Sequence, residues 1–334
     1  MAKVLLTGGS GFVASHILRT LLERGYSVTT TVRSAVKGEK ILAAHNTKTA
    51  QLAYTVVQDI AAVGAFDSAV QAEPPFDYVI HTASPFPDTL LDPVKDLLNP
   101  AIKGTTGILN AIKAYAPNVK RVVITSSFAA IVNTASPPKV YDETSWNPVT
   151  WDDAVNDRNL TYRGSKTFAE RAAWEFVEKE HPAFDLATMN PPLVYGPAVH
   201  SFENLANLNT SNQRIRDFIQ GKQTANELPP TGTFLWVDVR DLALAHVRAL
   251  EVPAAGGHRF FVTAGHCSNK RIVDAIRATH PQMVPKLPGK PIDDFPDDCY
   301  EYDNSKARDI LGVEFRSLEE GIGDTVTSLL RFIE

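Results

Sequence analysis

The chain has 334 residues, 44% of them hydrophobic and 21% charged, enough for a sizeable core and for about two domains. Its 33 Lys and Arg stand against 38 Asp and Glu, a net charge of −5 that argues against a nucleic-acid partner. Cys267 and Cys299 are the only cysteines, so neither a disulfide framework nor a thiolate metal cage is expected, and no apolar run approaches the ~18 residues of a membrane span.

Val4–Leu6 reads as a short buried strand. It breaks into Thr7-Gly8-Gly9 too soon for a signal peptide, so a soluble, cytoplasmic protein is expected. In Phe12–Arg24 the residues Val13, Ile17, Leu18, Leu21 and Leu22 fall at helical spacing, and Gly25 ends the helix. Ser27–Val32, rich in β-branched residues, is the second strand, and Tyr54–Val57, Tyr78–His81 and Arg121–Thr125 follow in kind. A helix from near Tyr162 to about Glu180 leads into a strand at Asp185–Met189. This alternation is the βαβ pattern of a parallel sheet. Beyond Asn190, Pro191-Pro192, Gly196-Pro197, Pro229-Pro230 and Gly256-Gly257 punctuate the chain and strands become short. Leu235–Glu251 reads as a strand end followed by a helix and is expected to rejoin the main sheet; Asp238 would cap that helix.

Gly8-x-x-Gly11-x-x-Ala14 lies directly after the first strand and opens the first helix. A tight turn needs Gly8, close approach of backbone to a pyrophosphate favours Gly11, and Ala14 lets helix pack on strand. Gly8, Ser10, Gly11, Phe12 and Val13 are therefore expected at a dinucleotide, whose phosphates the helix N-terminus would receive. The plain alternative is a glycine turn with no ligand. The fold class that follows is α/β: a doubly wound parallel sheet (Rossmann) over residues 1–190, with a smaller C-terminal α/β substrate-binding region over 191–334. An NAD site places Asp or Glu about 20 residues past the glycines, to hold the ribose 2′-OH. Here Thr29–Ser34 contains no acid, and Arg33 and Lys37 would instead neutralise a 2′-phosphate, which points to NADP; the alternative is two solvated surface cations.

Tyr162 and Lys166 stand at i and i+4, on one face of a helix. An ammonium beside a phenol favours the phenolate, which lets the pair exchange a proton with a substrate oxygen near neutral pH. Ser127, in Thr125-Ser126-Ser127-Phe128, lies just past a strand's C-terminal end, where open α/β sheets bind ligands, and its hydroxyl can hold a carbonyl oxygen. Simple turn chemistry is the alternative for such serines.

Thr7-Gly8-x-x-Gly11-Phe12-x-Ala14, Asp59-Ile60, His81-Thr82-Ala83-Ser84-Pro85, Thr125-Ser126-Ser127, Tyr162-x-x-x-Lys166 and Asn190-Pro191 together resemble the extended short-chain dehydrogenase/reductases. Within them the chain is most similar to the NADPH-dependent fungal aldehyde and ketone reductases, relatives of dihydroflavonol 4-reductase and cinnamoyl-CoA reductase. The resemblance implies that Tyr162 protonates the alkoxide as hydride arrives, that Lys166 favours the Tyr162 phenolate and holds the nicotinamide ribose, and that Ser127 orients the carbonyl. It further implies Asp59 and Ile60 at the adenine, and Thr82, Ala83, Ser84, Thr125 and Pro191 along the cofactor. Val194 would meet the nicotinamide carboxamide, and Ser211 would close over the cofactor. The acidic pair that sugar dehydratases of this superfamily carry after the strand-end serine is replaced here by Phe128-Ala129-Ala130.

Phe86, Phe128, Phe234 and Trp236 are candidates for the wall of a substrate pocket and equally for the core. His81 is read as structural, and the nine histidines show no metal-ligand spacing, so no metal is expected. The expected activity is reduction of ketones or aldehydes to alcohols with NADPH, by a monomer or homodimer whose partner is a small carbonyl compound. The rivals are a nucleotide-sugar epimerase with retained NAD and a non-catalytic NADPH sensor.

Overall fold

Strand β1 (Lys3–Thr7) buries Val4 and Leu6 in one apolar cluster and Leu5 in another, so the sheet it belongs to is covered on both sides. A computed structural model describes residues 1–85, 90–199, 208–223 and 227–332. After β1 come α1 (Phe12–Glu23), β2 (Ser27–Val32), α2 (Ala35–Ala44), β3 (Leu52–Val56), β4 (Tyr78–His81), α3 (Asn99–Tyr115) and β5 (Arg121–Thr125). Then follow β6 (Val140–Tyr141), α4 (Trp151–Asn156), α5 (Arg158–Glu180), β7 (Asp185–Met189), β8 (Leu193–Tyr195), α6 (Thr210–Ile219), β9 (Leu235–Asp238) and α7 (Val239–Glu251). The chain ends with β10 (His258–Phe260), β11 (Gly265–His266), α8 (Asn269–Thr279), β12 (Glu301–Tyr302), α9 (Ser305–Asp309) and α10 (Leu318–Leu330).

The main sheet is seven-stranded, in the order β10-β7-β5-β4-β1-β2-β3, and every neighbouring pair is parallel. One face packs on α1 and α7, through residues such as Ile17, Leu21, Leu242 and Ala245. The other packs on α3 and α5, through Ile108, Ile112, Ala173 and Phe176. From β1 the chain runs outward through β2 and β3, then returns to the other side of β1 as β4. The crevice between β1 and β4 is therefore the topological switch point, where such sheets bind ligands.

Two expectations shift. Helix α5 starts at Arg158 rather than near Tyr162, because Asp157 caps it by accepting from the Asn159 N–H at 2.9 Å. Segment 235–251 does not add a strand to the main sheet, since β10 already occupies the edge of β7. Instead β9 pairs with β8 and β11 in a three-stranded sheet, and α7, capped by Asp238, lies against the main sheet. Arg121, buried at the start of β5, fixes α7 there by donating to the carbonyls of Ala249 and Val252, both at 2.6 Å. The small sheet packs with α6, α8 and α10 in a separate core containing Tyr195, Phe218, Trp236, Ile276 and Ile322. No helix among the described residues is long and apolar enough to cross a membrane.

Candidate active site

The switch point is tied together by Thr7. Its Oγ1 accepts from the N–H groups of Thr82 and Ala83, both at 3.1 Å, which leaves its hydrogen for His81 Nδ1 at 2.9 Å. His81 then carries its proton on Nε2. Burial, with Lys166 nearby, holds its pKa down at about 3, so it is a neutral structural group, the role expected for it.

Each glycine of the turn has a different physical task. Gly8 has φ +72°, and a Cβ there would come within 3.1 Å of the Ala83 backbone. A Cβ on Gly9 would lie 1.9 Å from Thr30 Oγ1, so this glycine, which the sequence motif did not single out, is demanded by packing. A Cβ on Gly11 would meet only the Gly8 carbonyl, at 3.2 Å, so the space beyond is open. Helix α1 begins there with no side-chain cap and no acid in its first turn, an arrangement that favours an anion. The donors and the open glycine suit a dinucleotide pyrophosphate.

A groove of about 610 Å³ runs over the C-terminal edge of the sheet. The strand order β2-β1-β4-β5 lays its lining out in sequence. Arg33 and Lys37 lie past β2, then Gly8, Ser10, Gly11, Phe12 and Val13 past β1, then Thr82, Ala83 and Ser84 past β4. Thr125, Ser127, Tyr162, Lys166, Pro191, Val194 and Ser211 close the far end, and Ile60 joins the lining. Arg33 and Lys37 are exposed and form no ion pair among the described residues. Asp59 stands just outside, in an adjoining cavity of about 550 Å³ shared with Arg33, Lys95 and Lys103, where it accepts from the Ala61 N–H at 2.9 Å. Asn209, the N-cap of α6, and Thr210, its first residue, also line the groove and were not anticipated; an Asn at a helix start was the one local signal there.

At the far end, Ser127 Oγ accepts from the Ala129 N–H at 3.1 Å, which leaves its own hydrogen to donate outward. Thr125 Oγ1 lies 2.7 Å from His246 Nε2, while His246 Nδ1 is 2.8 Å from the Leu242 carbonyl. Nδ1 must donate to that carbonyl, so Nε2 accepts from Thr125; burial lowers the His246 pKa to about 4 and keeps it neutral. Tyr162 is 38% exposed on α5, and Lys166, one turn on, donates from Nζ to Ser84 Oγ at 3.4 Å. The helix spacing brings phenol and ammonium together, and the end of β5 brings the Ser127 hydroxyl to the same end of the groove.

The expected aromatic walls separate differently. Phe128 stacks on Phe261 with ring centroids 5.2 Å apart and meets Tyr141 edge-on, so it belongs to the core. Trp236 is buried among the residues beneath the small sheet, where a Cβ on Gly321 would touch its ring at 2.9 Å. Phe234 is half-buried, edge-on to Phe295, and does not line the groove either. Phe86 lies outside the described residues. No group of His, Cys, Asp and Glu among the described residues is arranged to hold a metal.

Residues 4–264 match the NAD dependent epimerase/dehydratase family. The chain is 54% identical over 330 residues to the ketoreductase azaE of Aspergillus niger, covering 98% of this chain and 97% of that one. It is 39% identical over 336 residues to a putative NADPH-dependent methylglyoxal reductase, GRP2, of Candida albicans, with 98% of each chain covered. Among solved structures, Gre2 of Candida albicans in complex with NADPH superposes with a TM-score of 0.94 over 100% of both chains, at 35% identity.

Proposed function

Because this chain belongs to the NAD dependent epimerase/dehydratase family, the extended short-chain dehydrogenase/reductases, we propose that it reduces the carbonyl of small ketones or aldehydes to an alcohol. It is an oxidoreductase with NADPH as its cofactor. The observation that carries the reading is one groove with two cations past β2 that form no ion pair among the described residues, and with the Ser127, Tyr162 and Lys166 side chains at its opposite end. When bound, NADPH supplies the hydride. The Ser127 hydroxyl, its oxygen occupied by the Ala129 N–H, donates to the substrate oxygen and fixes the carbonyl. Tyr162 hands its phenolic proton to the alkoxide that develops there, and the Lys166 ammonium one turn on favours that release. Ser84 holds Lys166 Nζ at the groove wall.

An epimerase with retained NAD is disfavoured by the acid-free stretch at the end of β2, and dehydration by Phe128-Ala129-Ala130, which supplies neither an extra acid nor an extra base. The test is NADPH oxidation at neutral pH, followed by absorbance, with a panel of small ketones, α-keto esters, aryl ketones and aldehydes. NADH and Tyr162→Phe run in parallel. Turnover that prefers NADPH and drops by at least about 100-fold in Tyr162→Phe is expected. Equal rates in Tyr162→Phe would remove the phenol from the mechanism. Tight NADPH binding with no turnover across the panel would replace the reductase by a sensor.

A further inference from the structure

Two turns beyond Tyr162 and one beyond Lys166, the same stripe of α5 carries Glu170, whose side chain is 1% exposed. Five side-chain donors converge on this one carboxylate. Oε2 accepts from Ser126 Oγ and, at 2.7 Å, from Asn190 Nδ2. Oε1 accepts from Thr188 Oγ1 at 3.0 Å, Trp174 Nε1 at 3.4 Å and Arg259 Nε at 2.7 Å. Ser126 and Asn190 are the chain neighbours of Ser127 and Pro191, both of which line the groove. The two loops are also joined to each other. Asn190 Nδ2 reaches the Ser127 carbonyl at 3.3 Å, and the Phe128 N–H donates to the Pro191 carbonyl at 2.8 Å. Arg259, on β10, balances the charge, holds the carbonyls of Glu143 and Ser145 at 2.6 and 2.7 Å, and lies 3.7 Å over the Trp146 ring.

We infer that Glu170 is a positioning residue for the reaction, a buried clasp that sets the helix bearing Tyr162 and Lys166 against the strand-end loop bearing Ser127. A buried ion pair gains little stability over apolar packing of the same volume, and its best-attested use is to specify one arrangement. Here the arrangement it specifies is the one the chemistry needs. Tyr162 and Ser127 come from elements that share no strand pairing, and a slide of α5 along its axis transfers undiminished to the phenol. The inference rests on the reductase reading given above.

Glu170→Gln keeps the size of the side chain. Its one oxygen is claimed by Arg259, which turns the new amide NH2 against the Asn190 NH2 and opens the clasp. Arg121→Lys is the companion variant. It keeps a cation beside Asp185 at the end of β5 away from the groove but gives up the bonds to the Ala249, Val252 and Pro253 carbonyls, so it loses stability without touching the clasp. Both are assayed with the wild type well below their unfolding temperatures, for kcat on the best carbonyl, for NADPH Kd by fluorescence, and for amide hydrogen exchange of residues 126–130. A shift of about 1 Å between reacting groups is worth about 100-fold in rate, so Glu170→Gln is expected to lose 10- to 100-fold in kcat. Its NADPH Kd should stay unchanged while exchange at 126–130 accelerates. Arg121→Lys should unfold at lower temperature and keep its kcat. Wild-type kcat in Glu170→Gln, a matching loss in Arg121→Lys, or unaltered exchange at 126–130 would each overturn the inference. A wild type that turns over no carbonyl would instead strike the reductase reading, while the exchange comparison still decides whether Glu170 holds the loop.

Discussion

Replacing Gly9 and Gly11 by alanine, one at a time, should separate folding from cofactor binding. At Gly9 the new methyl would sit 1.9 Å from Thr30 Oγ1 and 2.9 Å from Thr30 Cβ, against ~3.5–4.0 Å for ordinary contact. Thr30 is fully buried on β2, and its hydroxyl donates to the Leu6 carbonyl at 2.9 Å. Rotating the side chain relieves the first clash at the expense of that bond and leaves the second, so turn or strand must move. Overpacking costs about 1–3 kcal/mol and the lost hydrogen bond about 1 kcal/mol, offset by about 0.4–1 kcal/mol from a stiffer unfolded chain. The net loss is about 1–3.5 kcal/mol, read as a lower urea midpoint of the apoprotein. At Gly11 the backbone has φ −79° and the methyl meets only the Gly8 carbonyl, so apoprotein stability should change by less than about 1 kcal/mol. The methyl would stand in the groove at the start of α1, however, and NADPH affinity, measured by fluorescence titration, should fall. A Gly9→Ala protein as stable as the wild type, or a Gly11→Ala protein with undiminished affinity, would refute the assignment of the two roles.

Arg33→Ala should weaken NADPH binding by about 10- to 100-fold, the worth of a charge-assisted hydrogen bond of about 1.5–3 kcal/mol, and leave NADH binding unchanged; equal losses for both cofactors would place Arg33 elsewhere than at the 2′-phosphate. Stability should fall on acidification. His81 and His246 have folded pKa values of about 3 and about 4, below the 6.5 of the unfolded chain, so between pH 6.5 and 4 only the unfolded chain takes up their protons. Asp241, raised to about 6 by burial, and Glu143, also raised by burial, work in the opposite sense over part of that range, but burial lowers His16, His45 and His280 as well, which adds to the loss on acidification. The unfolding temperature should therefore drop as pH falls from 7 to 4, and less steeply in His246→Gln; parallel slopes in the two proteins would contradict the neutral, buried histidine.

The parts of the fold that were legible in the sequence are those decided locally. Strands β2, β4, β5 and β7 have the expected ends because runs of β-branched and apolar residues stop at glycine, proline or polar turns. The glycine turn, the acid-free end of β2 and the Tyr162/Lys166 spacing are likewise statements about a few neighbouring residues. What was missed is decided at long range. Leu235–Asp238 is a strand by composition, but the sheet it joins depends on β10 having taken the edge of β7. Phe128 and Trp236 were left open between pocket wall and core, and only the rings of Phe261 and Tyr141 and the backbone of Gly321 decide for the core. Gly9 is fixed by Thr30, which no local pattern connects to it.

Helix α5 shows why the Tyr162/Lys166 spacing was readable and Glu170 was not. Tyr162, Lys166 and Glu170 follow one stripe at intervals of four, and along it the side chains pass from exposed to half-buried to buried. A stripe that changes from polar function to polar core gives no amphipathic signal, because its inner end is as hydrophilic as its outer end. The buried end is tolerable only because Ser126, Thr188, Asn190 and Arg259, from three different strands or their ends, supply the donors. Two of those strands, β5 and β7, end at the sheet edge on which the groove is built. The carboxylate that the core must neutralise is thus neutralised by the elements whose position the chemistry depends on, and the burial of one glutamate couples the placement of the helix to that of the loop.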